Sequence, residues 1–281
     1  MIITLTETES LQDYRAHLQQ EERSPGTIAA YLRHVRAFAR WLAGKPVDKK
    51  TICDWRAHLL AQGYAPVSIN AMLAALHSYF RHCGRDDLRV HYLRVQRRIF
   101  RDDSRNLRRS DYQKLLHTAR VRGQRRLALV IETIGATGIR VSELSAITVE
   151  AVKQRRADIH LKGKIRTILI PDKLCRKLVA YARTQKIACG ALFRTAGGKI
   201  LSRYQIWTEM KALAKASGVQ PSKVFPHNLR HLFAVVFYEQ HHDLARLADL
   251  LGHSSIETTR IYLLAPDDVC RRQLDSMQLV E

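Results

Sequence analysis

The sequence predicts a mainly helical chain in two domains, with one small β-hairpin in the C-terminal domain, an α+β arrangement. Apolar residues recur at helical spacing along nearly the whole chain. The period shortens to two only around residues 158–170. A stretch dense in arginine, 91–109, separates the two helical regions. At 281 residues, one large or two ordinary domains would each bury a sound core.

Residues 1–90 read as a bundle of four short helices. Leu11, Tyr14 and Leu18 form the first stripe, which stops near Glu21. Ser24 is an N-cap with Pro25 at the first helical position, and Ile28, Tyr31, Leu32, Val35, Phe38 and Leu42 follow until Gly44. Thr51 is the expected cap of a third helix closing at Gly63. Pro66 opens the fourth, with Ile69, Met72, Leu73, Leu76 and Phe80 on one face and Gly84 at its end. The opposite faces carry Arg33, Arg36, Arg40, His77 and Arg81, side chains suited to solvent or to phosphates.

From 91 to 109 the sequence is HYLRVQRRIFRDDSRNLRR, relieved of its arginines only by Asp102 and Asp103. It reads as a basic interdomain linker, with room for one helical turn at its end. Such a linker suits a crossing over a nucleic-acid backbone, where arginine positions without reading bases. A basic spacer with no partner is the alternative.

The second domain spans 110–281. Ser110 is the expected cap of the helix DYQKLLHTAR, and 124–135 give a longer helix buried on one side. Thr137-Gly138 leads into a short helix, IRVSELSAI. Residues 158–161 and 167–170 are strands flanking Gly163-Lys164, and Pro171 ends the second. Helices resume at 172–184 and 202–217, and Phe225-Pro226 starts another. Asp243 caps the next, Gly252 closes it, and Ser254 with Glu257 forms a capping box for the last short helix before Tyr262. A terminal helix follows Pro266.

Lys plus Arg number 47 against 26 Asp plus Glu, a net charge of +21. That surplus, spread over the whole chain, attracts polyanions, with nucleic acid favoured over a membrane surface or an acidic protein. No apolar run of about 18 residues indicates a membrane span. The first residues lack a secretion signal. Five scattered cysteines without CxxC spacing argue against a disulfide framework or zinc site, and for a reducing, cytoplasmic setting.

Chemistry concentrates between Pro226 and Tyr262. His227, Arg230 and His231 are helical neighbours, expected to project together opposite a stripe of Leu229, Leu232, Phe233 and Val236. His253 sits at a fixed helix exit, nine residues before Tyr262. Cations beside a tyrosine suit attack on a phosphodiester, because a phenol of pKa about 10 is a poor nucleophile until its proton is removed or its anion stabilised. Guanidinium forks match two phosphate oxygens and the charge of a pentacoordinate transition state. Histidine donates to a phosphoryl oxygen or serves as acid or base. No cluster of carboxylates accompanies these groups, which disfavours a Mg²⁺-dependent nuclease. A two-histidine metal face in HNLRH would lack the glutamate of HExxH and would have Arg230 repelling the cation.

Taken together, TGIRVSEL (137–144), HNLRH (227–231), LGHSSIETT (251–259) and Tyr262 resemble, in order and spacing, the tyrosine recombinases of the phage-integrase and Xer group. The resemblance implies a two-domain DNA clamp, with 1–90 as a SAM-like core-binding domain and 110–281 as the catalytic domain. By it, Arg140 and Arg230 are the catalytic arginines and His227 is the histidine of the HxxR pair. His253 takes the family's His/Trp position, and Tyr262 is the nucleophile. Glu143 matches the acid of the first motif, either orienting a catalytic cation or capping a buried helix. The family's hairpin lysine falls in a segment that often reads GKGxKxRxxP. Matching the Gly-Lys pair of Lys162-Gly163-Lys164-Ile165-Arg166 gives Lys164, in a hairpin one residue shorter than the common form, and keeps Lys162 as the alternative.

The implied reaction is site-specific recombination of double-stranded DNA through a 3′-phosphotyrosyl intermediate, for integration, excision or related exchange. It uses neither metal nor ATP, and no cofactor is expected. A homo-tetramer on paired recombination sites is implied, with the terminal helix docking on a neighbour. Three competing readings are a type IB topoisomerase, a catalytically silent DNA-binding regulator of the same fold, and a metallohydrolase built on the histidines. Compact length and the LGH motif weigh against the topoisomerase. The filling of every catalytic position weighs against the regulator.

Overall fold

A computed structural model describes residues 8–95, 106–161, 164–263 and 267–279. Two units emerge, Met1–Arg97 and Arg98–Glu281, each with its own apolar core.

The first unit holds α1 (Thr8–Gln20), α2 (Pro25–Leu42), α3 (Lys49–Ala61) and α4 (Pro66–His82). Ser24 Oγ accepts the Thr27 N–H at 3.2 Å, as its place before Pro25 predicts. The third helix starts differently. Asp48 caps it, accepting both the N–H and the hydroxyl of Thr51 at 2.7 Å, so the expected cap, Thr51, is the capped residue. Phe38 meets Trp55 and Phe80 edge-on at the centre of this core. Arg33, Arg36, Arg40 and Arg81 are exposed, but His77 is 4% exposed. Its Nε2 accepts the N–H of Val90 at 3.3 Å, and Nδ1 lies 3.2 Å from the Tyr92 hydroxyl. The Asn70 amide grips both backbone groups of Leu93, at 2.8 and 2.9 Å, and Arg56 donates to the His91 carbonyl at 2.7 Å. Segment 90–93 therefore covers the helix face on which His77 was expected to be open.

The second unit holds α5 (Arg109–Val121), α6 (Arg125–Thr137), α7 (Val149–Gln154), β1 (Arg156–Leu161), β2 (Lys164–Leu169), α8 (Asp172–Thr184) and α9 (Arg203–Ala216). It continues with α10 (Pro226–His241), α11 (Leu244–Leu251), α12 (Ile256–Arg260) and α13 (Asp267–Asp275). The two strands pair antiparallel, from Arg156 opposite Leu169 to Leu161 opposite Lys164. Arg109 begins α5, and the Asp111 carboxylate accepts the Arg108 N–H at 3.2 Å, so Ser110 is inside the helix and not its cap. Likewise Ser255, not Ser254, caps α12, accepting the Glu257 N–H at 3.3 Å. α7 has no counterpart among the elements expected from the sequence, because its six residues are too few for a period to register.

α6 is the axle of this unit. Leu127, Val130, Ile131 and Ile134 are buried around much of its circumference, and α5, α8 and α10 pack on it. Glu132 on α6 accepts from Lys177 of α8 at 2.7 Å and from Arg120 of α5, binding the three helices together. The helix ends at Gly138 (φ +64), where a Cβ would stand 2.5 Å from the Phe233 ring of α10. Only glycine lets α10 approach this closely. Among the described residues, no helix is long and apolar enough to cross a membrane.

Candidate active site

The C-terminal end of α6 delivers the first cation. After Gly138 the chain is extended at Arg140, and a 3₁₀ turn, Val141–Ala146, follows. The Arg140 N–H donates to Glu143 Oε2 at 2.7 Å, and its guanidinium donates to Oε1 at 2.9 Å. Glu143 is 4% exposed. Burying a carboxylate costs stability unless cations and N–H donors face it, and the Arg140 guanidinium is one such cation. A second one is supplied by β2, where Arg166 Nη2 donates to Glu143 Oε2 at 2.7 Å. Glu143 thus orients a cation of the site while also capping the turn, which joins the two roles the sequence offered for it.

Arg230 departs from expectation. The helical period set it on an outward face with His227 and His231, yet it is 2% exposed and points inward from α10. Nη1 donates to the Gly138 carbonyl at 2.7 Å and Nη2 to the Leu251 carbonyl at 2.7 Å. Arg166 Nη1 takes the carbonyl of the preceding residue, Leu250, at 2.9 Å. The last carbonyls of α11 have no partner within the helix and carry the negative end of its dipole, so two guanidiniums are drawn to them. Burial with neighbouring Arg140 pushes the pKa of Arg230 down; so does burial for Arg166, where Glu143 works in the opposite direction.

His253 leaves α11 just after Gly252, the C-cap in the left-handed region at φ +64. Its Nε2 lies 2.9 Å from Arg230 Nη2, and Nδ1 lies 2.8 Å from Thr259 Oγ1. Burial, together with the charges of Arg230, Arg140 and Arg166, pushes its pKa down to about 4. The pKa of His227 on α10 is also lowered, because the surrounding side chains strip water from its ring and Arg230 and Arg140 lie nearby.

Tyr262 stands in a 3₁₀ turn, Ile261–Leu263, and is 6% exposed. It packs on Ala234, Leu247 and Leu251, with Phe233, Phe237 and Tyr238 around them. Three imidazoles surround its ring: His253 stacked at 5.8 Å, His227 tilted at 5.8 Å and His231 edge-on at 5.3 Å. Its phenol neighbours the Arg230 guanidinium and works against the lowering of that group's pKa.

Arg140, His227, Arg230, His253 and Tyr262 are therefore brought together. Lys164 is the first residue of β2, opposite Leu161; Lys162 lies outside the described residues. Arg166 and Thr259 were not singled out from the sequence. The signal for Arg166 is its two-residue alternation with Ile168 and Ile170, both buried, which sets a cation on the inward face of the strand, where charge needs a partner. Among the described residues, no group of three or more His, Cys, Asp or Glu is arranged to hold a metal ion. The site offers guanidinium donors, neutral imidazoles and one phenol, which together suit a tetrahedral oxyanion and a nucleophile in line with it.

Comparisons with known proteins agree with this chemistry. Residues 105–267 match the phage integrase family, and 11–86 match the phage integrase N-terminal SAM-like domain. The chain is 30% identical to "Tyrosine recombinase XerA" of Thermococcus kodakarensis, over 97% of this chain and 96% of the relative. It is 30% identical to "Tyrosine recombinase XerD" of Xanthomonas campestris, over 89% and 84%. Among solved structures, its fold resembles a lambda integrase tetramer bound to a Holliday junction, at a TM-score of 0.73, 20% identity and coverage of 92% and 77%. It also resembles a XerH site-specific recombinase bound to difH substrate, at 0.67, 19%, 90% and 80%.

Proposed function

Because the chain belongs to the phage integrase family, we infer that its site is that of a tyrosine recombinase, which cleaves and rejoins DNA strands at specific sites. In our assignment the Tyr262 oxygen attacks a DNA phosphate. The new O–P bond forms a 3′-phosphotyrosyl link as the bond to the 5′-oxygen breaks. The phosphodiester is traded for another ester of similar energy, so rejoining by a 5′-hydroxyl of a partner strand needs no nucleotide.

The residues divide the work as follows. Arg140 and Arg230 hold the non-bridging oxygens, with Glu143 setting the angle of Arg140. His227, kept neutral by its lowered pKa, receives the phenol proton. Lys164, or Lys162 in its place, protonates the leaving 5′-oxygen. His253 also serves the phosphoryl group. Its Nε2 faces the Arg230 guanidinium, a donor, so donation to a phosphoryl oxygen requires a change of tautomer or uptake of a proton.

We further propose that residues 1–90 form the core-binding domain, 91–109 the linker and 110–281 the catalytic domain. The partner is double-stranded DNA in the cytoplasm, and the working form is a homo-tetramer on paired sites. Neighbours of this fold described as a dimer or a tetramer on DNA support that reading.

The single observation that carries the function is the convergence of Tyr262, Arg230 and His253 from α10, the end of α11 and the turn after α12. The test is a nicked suicide substrate that traps the covalent complex on a denaturing gel. The wild type yields the adduct and Tyr262→Phe does not. An adduct with Tyr262→Phe sinks the assignment, and binding by the wild type without any adduct favours the silent regulator.

A further inference from the structure

We propose that Arg166 is a positioning residue for strand cleavage, holding the β-hairpin to both halves of the phosphate cradle at once. The proposal rests on the recombinase reading for its reaction, while its structural content stands on the contacts alone.

The fork of Arg166 spans two elements. Nη2 reaches Glu143, the acid that also binds the backbone and guanidinium of Arg140. Nη1 reaches the Leu250 carbonyl, one residue before the carbonyl that holds Arg230 and three before His253. The stem of Arg166 fills the space beside Gly252, where a Cβ would collide with its Cδ. One side chain of β2 thus touches the acid that aligns the first arginine and the turn that presents the histidine.

Stability alone does not call for this arrangement. Glu143 already has Arg140 as a counter-ion, and a second guanidinium there adds repulsion from Arg140 and desolvation at a side chain only 14% exposed. What Arg166 adds is geometry. It lies two residues along β2 from Lys164, about 7 Å of strand. Anchoring it therefore fixes the strand that begins at Lys164. A displacement of about 1 Å at a reacting group costs on the order of 100-fold in rate, so such an anchor matters to the reaction.

The test uses the full chain with Arg166→Met and Arg166→Lys, the latter retaining charge but not the fork. Hydrogen–deuterium exchange should rise about 10-fold or more at both 164–169 and 251–254 in each variant, with little change in α5 and α6. Adduct formation on the suicide substrate should fall about 100-fold while DNA affinity changes less than about 3-fold. The double variant with Glu143→Gln should be little worse than either single variant, because the two residues act as one unit. Wild-type cleavage by Arg166→Lys, or exchange rising at only one of the two segments, overturns the proposal. If Arg166→Met does not fold, Arg166→Lys carries both arms. A wild type that forms no adduct overturns the recombinase reading instead, and the exchange pattern then decides the coupling by itself.

Discussion

Nη2 of Arg230 stands 2.9 Å from Nε2 of His253, and this contact fixes where the imidazole keeps its proton. A guanidinium can only donate. Nε2 must therefore accept, and Nδ1 carries the hydrogen to Thr259 Oγ1, 2.8 Å away. The pKa of about 4 follows from the same geometry, since a second proton would face Arg230 at contact distance.

Acid should weaken the fold through this histidine. Its pKa is about 4 in the folded chain against an ordinary value of 6.5. Between those values the unfolded chain binds a proton that the folded chain refuses, so stability falls as pH drops through the window and is complete above it. Lowered His227 acts in the same direction. Thermal melts from pH 7 to pH 5 should show a declining Tm, and His253→Gln should flatten the decline. An unchanged slope in His253→Gln would count against the lowered pKa of His253.

Arg230→Lys should fail both as a structural and as a catalytic replacement. One ammonium cannot serve the carbonyls of Gly138 and Leu251 and also His253 in the plane that the guanidinium occupies. Losing buried partners on this scale costs about 2–4 kcal/mol, readable by urea denaturation. Adduct formation should drop by on the order of 100-fold or more, as for other lost oxyanion donors. A variant as stable as the wild type would contradict the buried geometry.

Gly252→Ala separates backbone strain from side-chain collision. Gly218 has a similar φ, +68 against +64, but open space where a Cβ would stand. Gly218→Ala should therefore cost about 1 kcal/mol, the ordinary penalty for alanine in that region. Gly252→Ala should cost about 1–3 kcal/mol more, because the new methyl displaces Arg166. Equal losses in the two variants would mean that the contact with Arg166 is immaterial.

Much of this molecule was legible in its sequence because helix signals are local. Pro25, Pro66 and Pro226 each stand at the start of a helix, and Gly138 and Gly252 close theirs. Caps proved less legible where two acceptors lie close together. Asp48 outcompetes Thr51 as a charged acceptor, and Ser255 takes the place expected for Ser254. Periodicity also assigns a direction to Cβ but not to the end of a long side chain. The period placed Arg230 outside, yet its guanidinium turns inward to carbonyls supplied by residues 92 and 21 positions away in the chain. His77 was misread for a related reason, since the segment that covers it arrives from later in the sequence. Arg166 escaped notice because its partners, Glu143 and Leu250, are set by tertiary structure alone.

Arg140 and Arg166 share the carboxylate of Glu143, and Arg166 and Arg230 each feel the charge of Arg140. The charge ledger of this pocket does not close within the protein. A phosphodiester placed among these groups would offset their mutual repulsion as it binds, so part of the affinity for DNA follows from how the arginines are set. In that sense the backbone phosphate would act as a counter-ion to the fold as well as the substrate of its chemistry.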